Sequence, residues 1–127
     1  MKVIKTDKAP AAIGPYSQAM VVNNIVYTSG QIPLNPVNGE LVEGDIHTQT
    51  KQVMENLKNL LEDAGSSCQE TIKTTCFLAN MEDFAAFNEI YAEYFVNKPA
   101  RSCVAVKTLP KNVLVEVEAI AQIKELT

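Results

Sequence analysis

Between Val113 and Ile123 the chain alternates in a way that few folds accommodate. Val113, Val115, Val117, Ala119 and Ala121 form one wholly apolar row, and the opposite row, Leu114, Glu116, Glu118 and Ile120, is mixed rather than simply polar. The same doubling recurs elsewhere. In the predicted strand Ser17 to Val22, Met20 and Val22 stand opposite Ala19 and Val21, and in Ile72 to Ala79, Phe77 stands opposite Cys76. A sheet built from such strands needs a cover on both faces.

Only two helices are available to supply it. The first is predicted after the N-cap Asp45, where Ile46, Thr50, Val53, Leu57, Leu60/Leu61 and Ala64 recur at steps of three and four until Gly65 closes the segment. The second is predicted after Asn80, with Glu82 and Asp83 in its first turn complementing the helix dipole. Its apolar stripe is Phe84, Phe87, Tyr91 and Tyr94/Phe95, and Pro99 stops it. Before them, Ser17 to Val22, Asn23-Asn24 and Ile25 to Gln31 read as a hairpin, because paired asparagines tolerate the left-handed backbone of a tight turn. Pro33 to Gly44, with two prolines and two glycines, is a loop. Ile72 to Ala79, Arg101 to Val106 and Val113 to Ile123 supply the later strands, the last two joined by the turn Leu109-Pro110-Lys111-Asn112. The order predicts one α+β domain over 1–127, with both helices on one face of a mixed sheet. The uncovered face is expected to be buried by identical subunits, since large exposed apolar patches usually mark contact surfaces.

Charge narrows the possible partners. Eleven Lys+Arg against fifteen Asp+Glu give a net charge of -4, the wrong sign for counterion-release binding to nucleic acid or for an anionic membrane surface. Three cysteines, Cys68, Cys76 and Cys103, without CxxC spacing, and a single histidine, His47, argue against a disulfide framework or a zinc site. The charged start Met1 to Pro10 and the lack of a long apolar run predict a reduced cytoplasmic protein with no membrane partner.

Arg101 is the only arginine, and it opens a strand directly after Lys98-Pro99-Ala100. A guanidinium fork can hold a planar carboxylate through two parallel charge-assisted hydrogen bonds; the alternative for Arg101 is a surface or interface ion pair. Glu116 lies inside an apolar strand, where a carboxylate is costly unless paired or used, for instance to hold a water; Glu118 has the same parity and competes for that role. Burial would raise the Glu116 pKa, and a nearby guanidinium would lower it. Tyr16, in Gly14-Pro15-Tyr16-Ser17, sits in a stiff turn that either aims its hydroxyl or packs its ring. Gly30, after Ser29, permits a close backbone approach or simply a turn. Cys103 shares a strand side with Arg101 and reads as a small buried residue rather than a nucleophile. Lys73 and Asn88 could reach a site, although an exposed lysine and a helix-surface asparagine are the plainer readings; His47 reads as solvated.

Several separated motifs are shared with a known family. Ala11-Ala12-Ile13-Gly14-Pro15-Tyr16-Ser17-Gln18-Ala19, Tyr27-Thr28-Ser29-Gly30-Gln31-Ile32-Pro33, Asn88-Glu89-Ile90-Tyr91, Pro99-Ala100-Arg101-Ser102-Cys103-Val104, Leu109-Pro110-Lys111 and Val115-Glu116-Val117-Glu118-Ala119 occur in order along essentially the whole chain. In these the chain resembles the Rid family of reactive-intermediate deaminases, also called YjgF-like proteins, and within it the archetypal RidA subgroup. The resemblance implies a chorismate-mutase-like (ferredoxin-like) α+β fold, a homotrimer with clefts at subunit interfaces, and hydrolysis of 2-iminobutanoate and 2-iminopropanoate to 2-keto acids and ammonia. It implies that Arg101 holds the substrate carboxylate and Glu116 holds or activates the water, with Tyr16 and backbone groups near Ser29-Gly30 and Cys103 completing the cleft; Asn88 is a further candidate substrate-binding residue. No metal or organic cofactor is called for, because an imine carbon is already electrophilic toward water. Two further readings use the same architecture. One is a trimeric carboxylate-binding or regulatory protein without turnover; the other is a mutase, which would call for more cationic anchors than one arginine.

Overall fold

A computed structural model describes residues 1–124. Its strands are β1 (Lys2–Ile4), β2 (Ala19–Val22), β3 (Ile25–Thr28), β4 (Thr71–Leu78), β5 (Ala100–Ala105) and β6 (Val115–Gln122). The helices are α1 (Ile46–Asp63), between β3 and β4, and α2 (Phe84–Tyr94), between β4 and β5. All six strands form one sheet in the order β1-β2-β3-β6-β4-β5, in which only β4 and β5 run parallel. That pair is joined through α2, as a parallel crossover requires.

Local chemistry explains the element ends. Asn23 and Asn24 both adopt positive φ, 50° and 63°, which sets the β2–β3 hairpin with the twist its strands need. Asp45 caps α1 by accepting from the Thr48 N–H at 2.9 Å. At the other end Gly65, at φ +90°, donates to Glu62 O while Ser66 donates to Leu61 O, a Schellman closure.

Three predicted boundaries are corrected. Asn80 caps a single 3-10 turn, Met81–Asp83, and α2 begins only at Phe84. The helix ends at Tyr94, well before Pro99, because Asn97 donates its side-chain amide to Thr71 O at 3.0 Å and draws the chain toward β4. The hairpin strands are shorter than predicted: beyond Thr28 only Ser29 still bonds back, to Ser17 O and Gln18 O, and Gln31 bridges to Val117 instead. β1 is a strand that the charged start concealed, since only Ile4 of its three residues is buried.

Both helices cover one face. Val53, Leu57, Leu60 and Leu61 of α1 and Phe87, Tyr91 and Phe95 of α2 pack with the predicted row Val115, Val117, Ala119 and Ala121, and with Cys76 and Leu78 of β4. Removing a fully buried leucine such as Leu57 from such a core costs about 2–5 kcal/mol. Among the described residues no helix covers the opposite face. There Leu114, Glu116, Glu118 and Ile120 are half-buried, and Tyr27 and Val104 are exposed. The architecture is the α+β, mixed-sheet, two-helix arrangement that the alternation predicts.

Candidate active site

Arg101 stands on β5, a sheet edge paired only with β4. Its register partner Thr74 is fully buried beneath the helices, so the arginine side chain shares the helix-bearing face and runs along α2. Asn88 Oδ1 accepts from its Nη1 at 2.7 Å. The guanidinium carbon lies 4.9 Å from the Tyr91 ring centre and 5.3 Å from that of Phe84, within the range of cation–π attraction. Tyr91 is itself tethered by a 2.7 Å hydrogen bond between its hydroxyl and Thr74. Among the described residues no carboxylate lies within salt-bridge distance of Arg101, so the ion-pair alternative has no support within one chain. Beside it opens a cleft of about 310 Å³, bounded by Asn88, Tyr91, Phe95, Lys98 and Pro99.

Glu116 lies elsewhere. Its register partner Phe77 alternates with the buried Cys76 and Leu78, which puts the carboxylate on the uncovered face of the sheet. A larger cleft, about 790 Å³, opens there between Tyr16, Ser29, Gly30, Lys111, Glu116 and Glu118, among others. Ser29 donates its hydroxyl to Ser17 O at 2.6 Å and its N–H to Gln18 O at 2.9 Å, and Gln31 exchanges backbone hydrogen bonds with Val117. These bonds press the Ser29-Gly30-Gln31 backbone against β6. A Cβ on Gly30 would stand 2.0 Å from Glu116 Oε2. The close approach that Gly30 permits is therefore made by the chain's own carboxylate. Burial, and then the neighbouring Glu118 charge, raise the Glu116 pKa, with no guanidinium to offset them.

The predicted site residues thus fall into two groups. Tyr16, Ser29, Gly30 and Glu116 line the larger cleft, and Arg101 and Asn88 line the smaller. Cys103 borders neither; it faces the helices opposite Cys76, half-buried rather than fully so. Arg101 and Glu116 lie on opposite faces of the sheet, and one chain alone does not bring them together. Lys73 is exposed, and so is His47, whose Nε2 lies 3.3 Å from Glu89 Oε2. Sequence reasoning missed Lys111, which reaches the larger cleft from a turn with positive φ at both Lys111 and Asn112. The motif Leu109-Pro110-Lys111 was the available signal. Among the described residues no cluster of His, Cys, Asp and Glu could hold a metal ion, and no helix is long and apolar enough to cross a membrane.

Residues 6–123 match the family model described as Endoribonuclease L-PSP. A RutC family protein of Pyrococcus abyssi is 54% identical over 121 residues, covering 94% of this chain and 95% of its own. The chain belongs to the Rid family. Among solved Rid-family structures, RidA from an Antarctic Psychrobacter superposes with a TM-score of 0.92 at 44% identity, covering 97% of this chain and 100% of its own. TdcF of E. coli, solved with bound serine, gives a TM-score of 0.92 at 43% identity, with 98% and 100% covered. The fold is therefore that of the family, with its chorismate-mutase-like sheet and helices.

Proposed function

We propose that this Rid-family chain is a deaminase that hydrolyses 2-iminobutanoate, 2-iminopropanoate and their enamine tautomers to 2-keto acids and ammonia, in clefts assembled between the copies of a homotrimer. The observation that carries this reading is the state of Arg101. Its guanidinium is held by one amide and two aromatic rings, keeps further N–H groups for a ligand, and opens on a cleft where no carboxylate among the described residues neutralises it. A planar anion is the complement of such a fork. The serine bound to TdcF carries the carboxylate that a 2-imino acid also presents.

The division of the site supports a shared cleft. The exposed apolar side chains of the uncovered face need a partner, and seating a second copy there can bring its Arg101 to the first copy's Glu116. In that cleft the arginine orients the substrate. Glu116, already inclined to carry a proton by its burial, holds the water that adds to the C=N carbon. The resulting carbinolamine takes a proton on nitrogen and, as its hydroxyl gives up its proton to form the C=O bond, expels ammonia to leave the 2-keto acid. Tyr16 and the Ser29-Gly30 backbone complete the polar wall, with Asn88 fixing the arginine and the Cys103 strand beneath. Free water already hydrolyses such imines, so orientation and one acid–base group are sufficient apparatus.

A nuclease reading of the family description fits this chain poorly: the net charge is -4, and the single histidine is at the surface with Glu89, apart from both clefts. The deciding test couples the protein to a pyridoxal-phosphate threonine dehydratase and follows 2-ketobutyrate while semicarbazide competes for the imine. Keto-acid release should be faster with the protein than without it, and equal rates would remove the deaminase reading.

A further inference from the structure

Beneath Arg101 the chain carries two thiols that the proposed chemistry does not use. Cys76 of β4 and Cys103 of β5 are direct partners in the parallel register, on the helix-facing side of the sheet. Adjacent strands lie about 4.8 Å apart, inside the roughly 4.4–6.8 Å separation of Cα atoms that a disulfide spans. Cys76 is fully enclosed, with its thiol donating to Thr74 Oγ1 at 3.8 Å, whereas Cys103 is half-buried and open to a small oxidant.

We propose that Cys76 and Cys103 form a redox pair that a hydroperoxide closes into an intrachain disulfide, with Cys103 attacking first and Cys76 resolving. The Cys103 thiolate attacks one peroxide oxygen, and the O–O bond breaks. The sulfur becomes a sulfenic acid, and the departing oxygen takes up the thiol's proton to leave as water, or as an alcohol when the peroxide is organic. The Cys76 sulfur then displaces hydroxide from the sulfenic sulfur, and the second thiol proton leaves with it as water. Two thiols are oxidised and one peroxide is reduced. The Arg101 guanidinium favours the thiolate at both positions, and each thiol perturbs the other's ionisation, as direct neighbours do. Burial acts more strongly in the opposite sense: it raises Cys103 and pushes Cys76 up to about 12, so thiolate is scarce and closure needs sustained peroxide. Because Cys103 shares its strand face with Arg101, closure ties the strand that carries the arginine to β4.

The test exposes the folded protein to hydrogen peroxide, blocks the remaining thiols with an alkylating agent and maps the peptides under non-reducing conditions. Two of the three thiols should disappear without added oxygen, the Cys76 and Cys103 peptides should be joined, Cys68 should remain alkylated, and a reductant should restore both thiols. In Cys76→Ala the same treatment should drive Cys103 to oxygenated acids that the reductant does not reverse. Oxygen adducts on wild-type Cys103 beside an alkylated Cys76, links made through Cys68, or three thiols left untouched would each overturn the proposal.

Discussion

The Glu116 carboxylate lies over Gly30 so closely that a Cβ there would stand 2.0 Å from Oε2. The obstructing atom is the far end of a flexible side chain, so Gly30→Ala should fold and push the carboxylate out of place. Turnover should fall at least tenfold, which is about 1.4 kcal/mol of barrier, with the melting temperature within a few degrees of wild type. Dehydratase-coupled kinetics and thermal unfolding on the same preparation check both halves.

Glu116 carries a pKa raised by burial and then by Glu118. A carboxylic acid whose folded value exceeds its unfolded one stabilises the fold at low pH, and this contribution is lost as pH rises from the ordinary value of 4.5 through the raised one. Glu116→Gln removes that loss. It should match or exceed wild-type stability at neutral pH and lose the advantage under acid, while turnover drops and carboxylate binding persists. Thermal unfolding across pH, with ligand titration, measures this; a binder without turnover would lose nothing on this substitution. Glu118→Gln should shift the acidic limb of the rate profile to lower pH by removing a like charge.

Arg101→Ala should abolish keto-acid release above background. Arg101→Lys should stay poor, because an ammonium keeps the charge but cannot form the fork. Asn88→Ala leaves the guanidinium on its aromatic bed without its 2.7 Å amide partner, so substrate affinity should suffer more than maximal rate. Steady-state kinetics on the folded variants separate these effects.

The two-sided apolar alternation of β6 was enough to place the helices on one face and to leave the other face wanting a partner, because strand periodicity transmits directly to burial. Asp45, the Asn23-Asn24 turn and Gly65 were legible for the same local reason: each answers a backbone demand within a few residues. The separation of Arg101 from Glu116 was not legible. Which side of the sheet an edge-strand residue faces depends on the β4–β5 register, and register arises from pairings distant in sequence. The buried polar set of α1 was equally hidden, since Gln49 and Asn56 look like surface residues until the loop they hold is known.

Asn56 is fully buried and donates its amide to Leu34 O at 2.9 Å and Ile32 O at 3.3 Å, holding the loop that continues from Gly30. Asn56→Ala strands those carbonyls and should cost about 1–3 kcal/mol, read as a lower urea midpoint with an unchanged slope.

Subunit exchange tests the shared cleft most directly. Arg101→Ala and Glu116→Gln proteins, each inactive alone, are mixed in equal amounts, dissociated and reassembled, with exchange confirmed by native mass. If each cleft takes its arginine from one copy and its glutamate from the next, about a quarter of the clefts in a random mixture are intact, and 2-ketobutyrate formation should recover to about that fraction of wild type. A mixture that exchanges fully and stays at background would contradict the shared cleft.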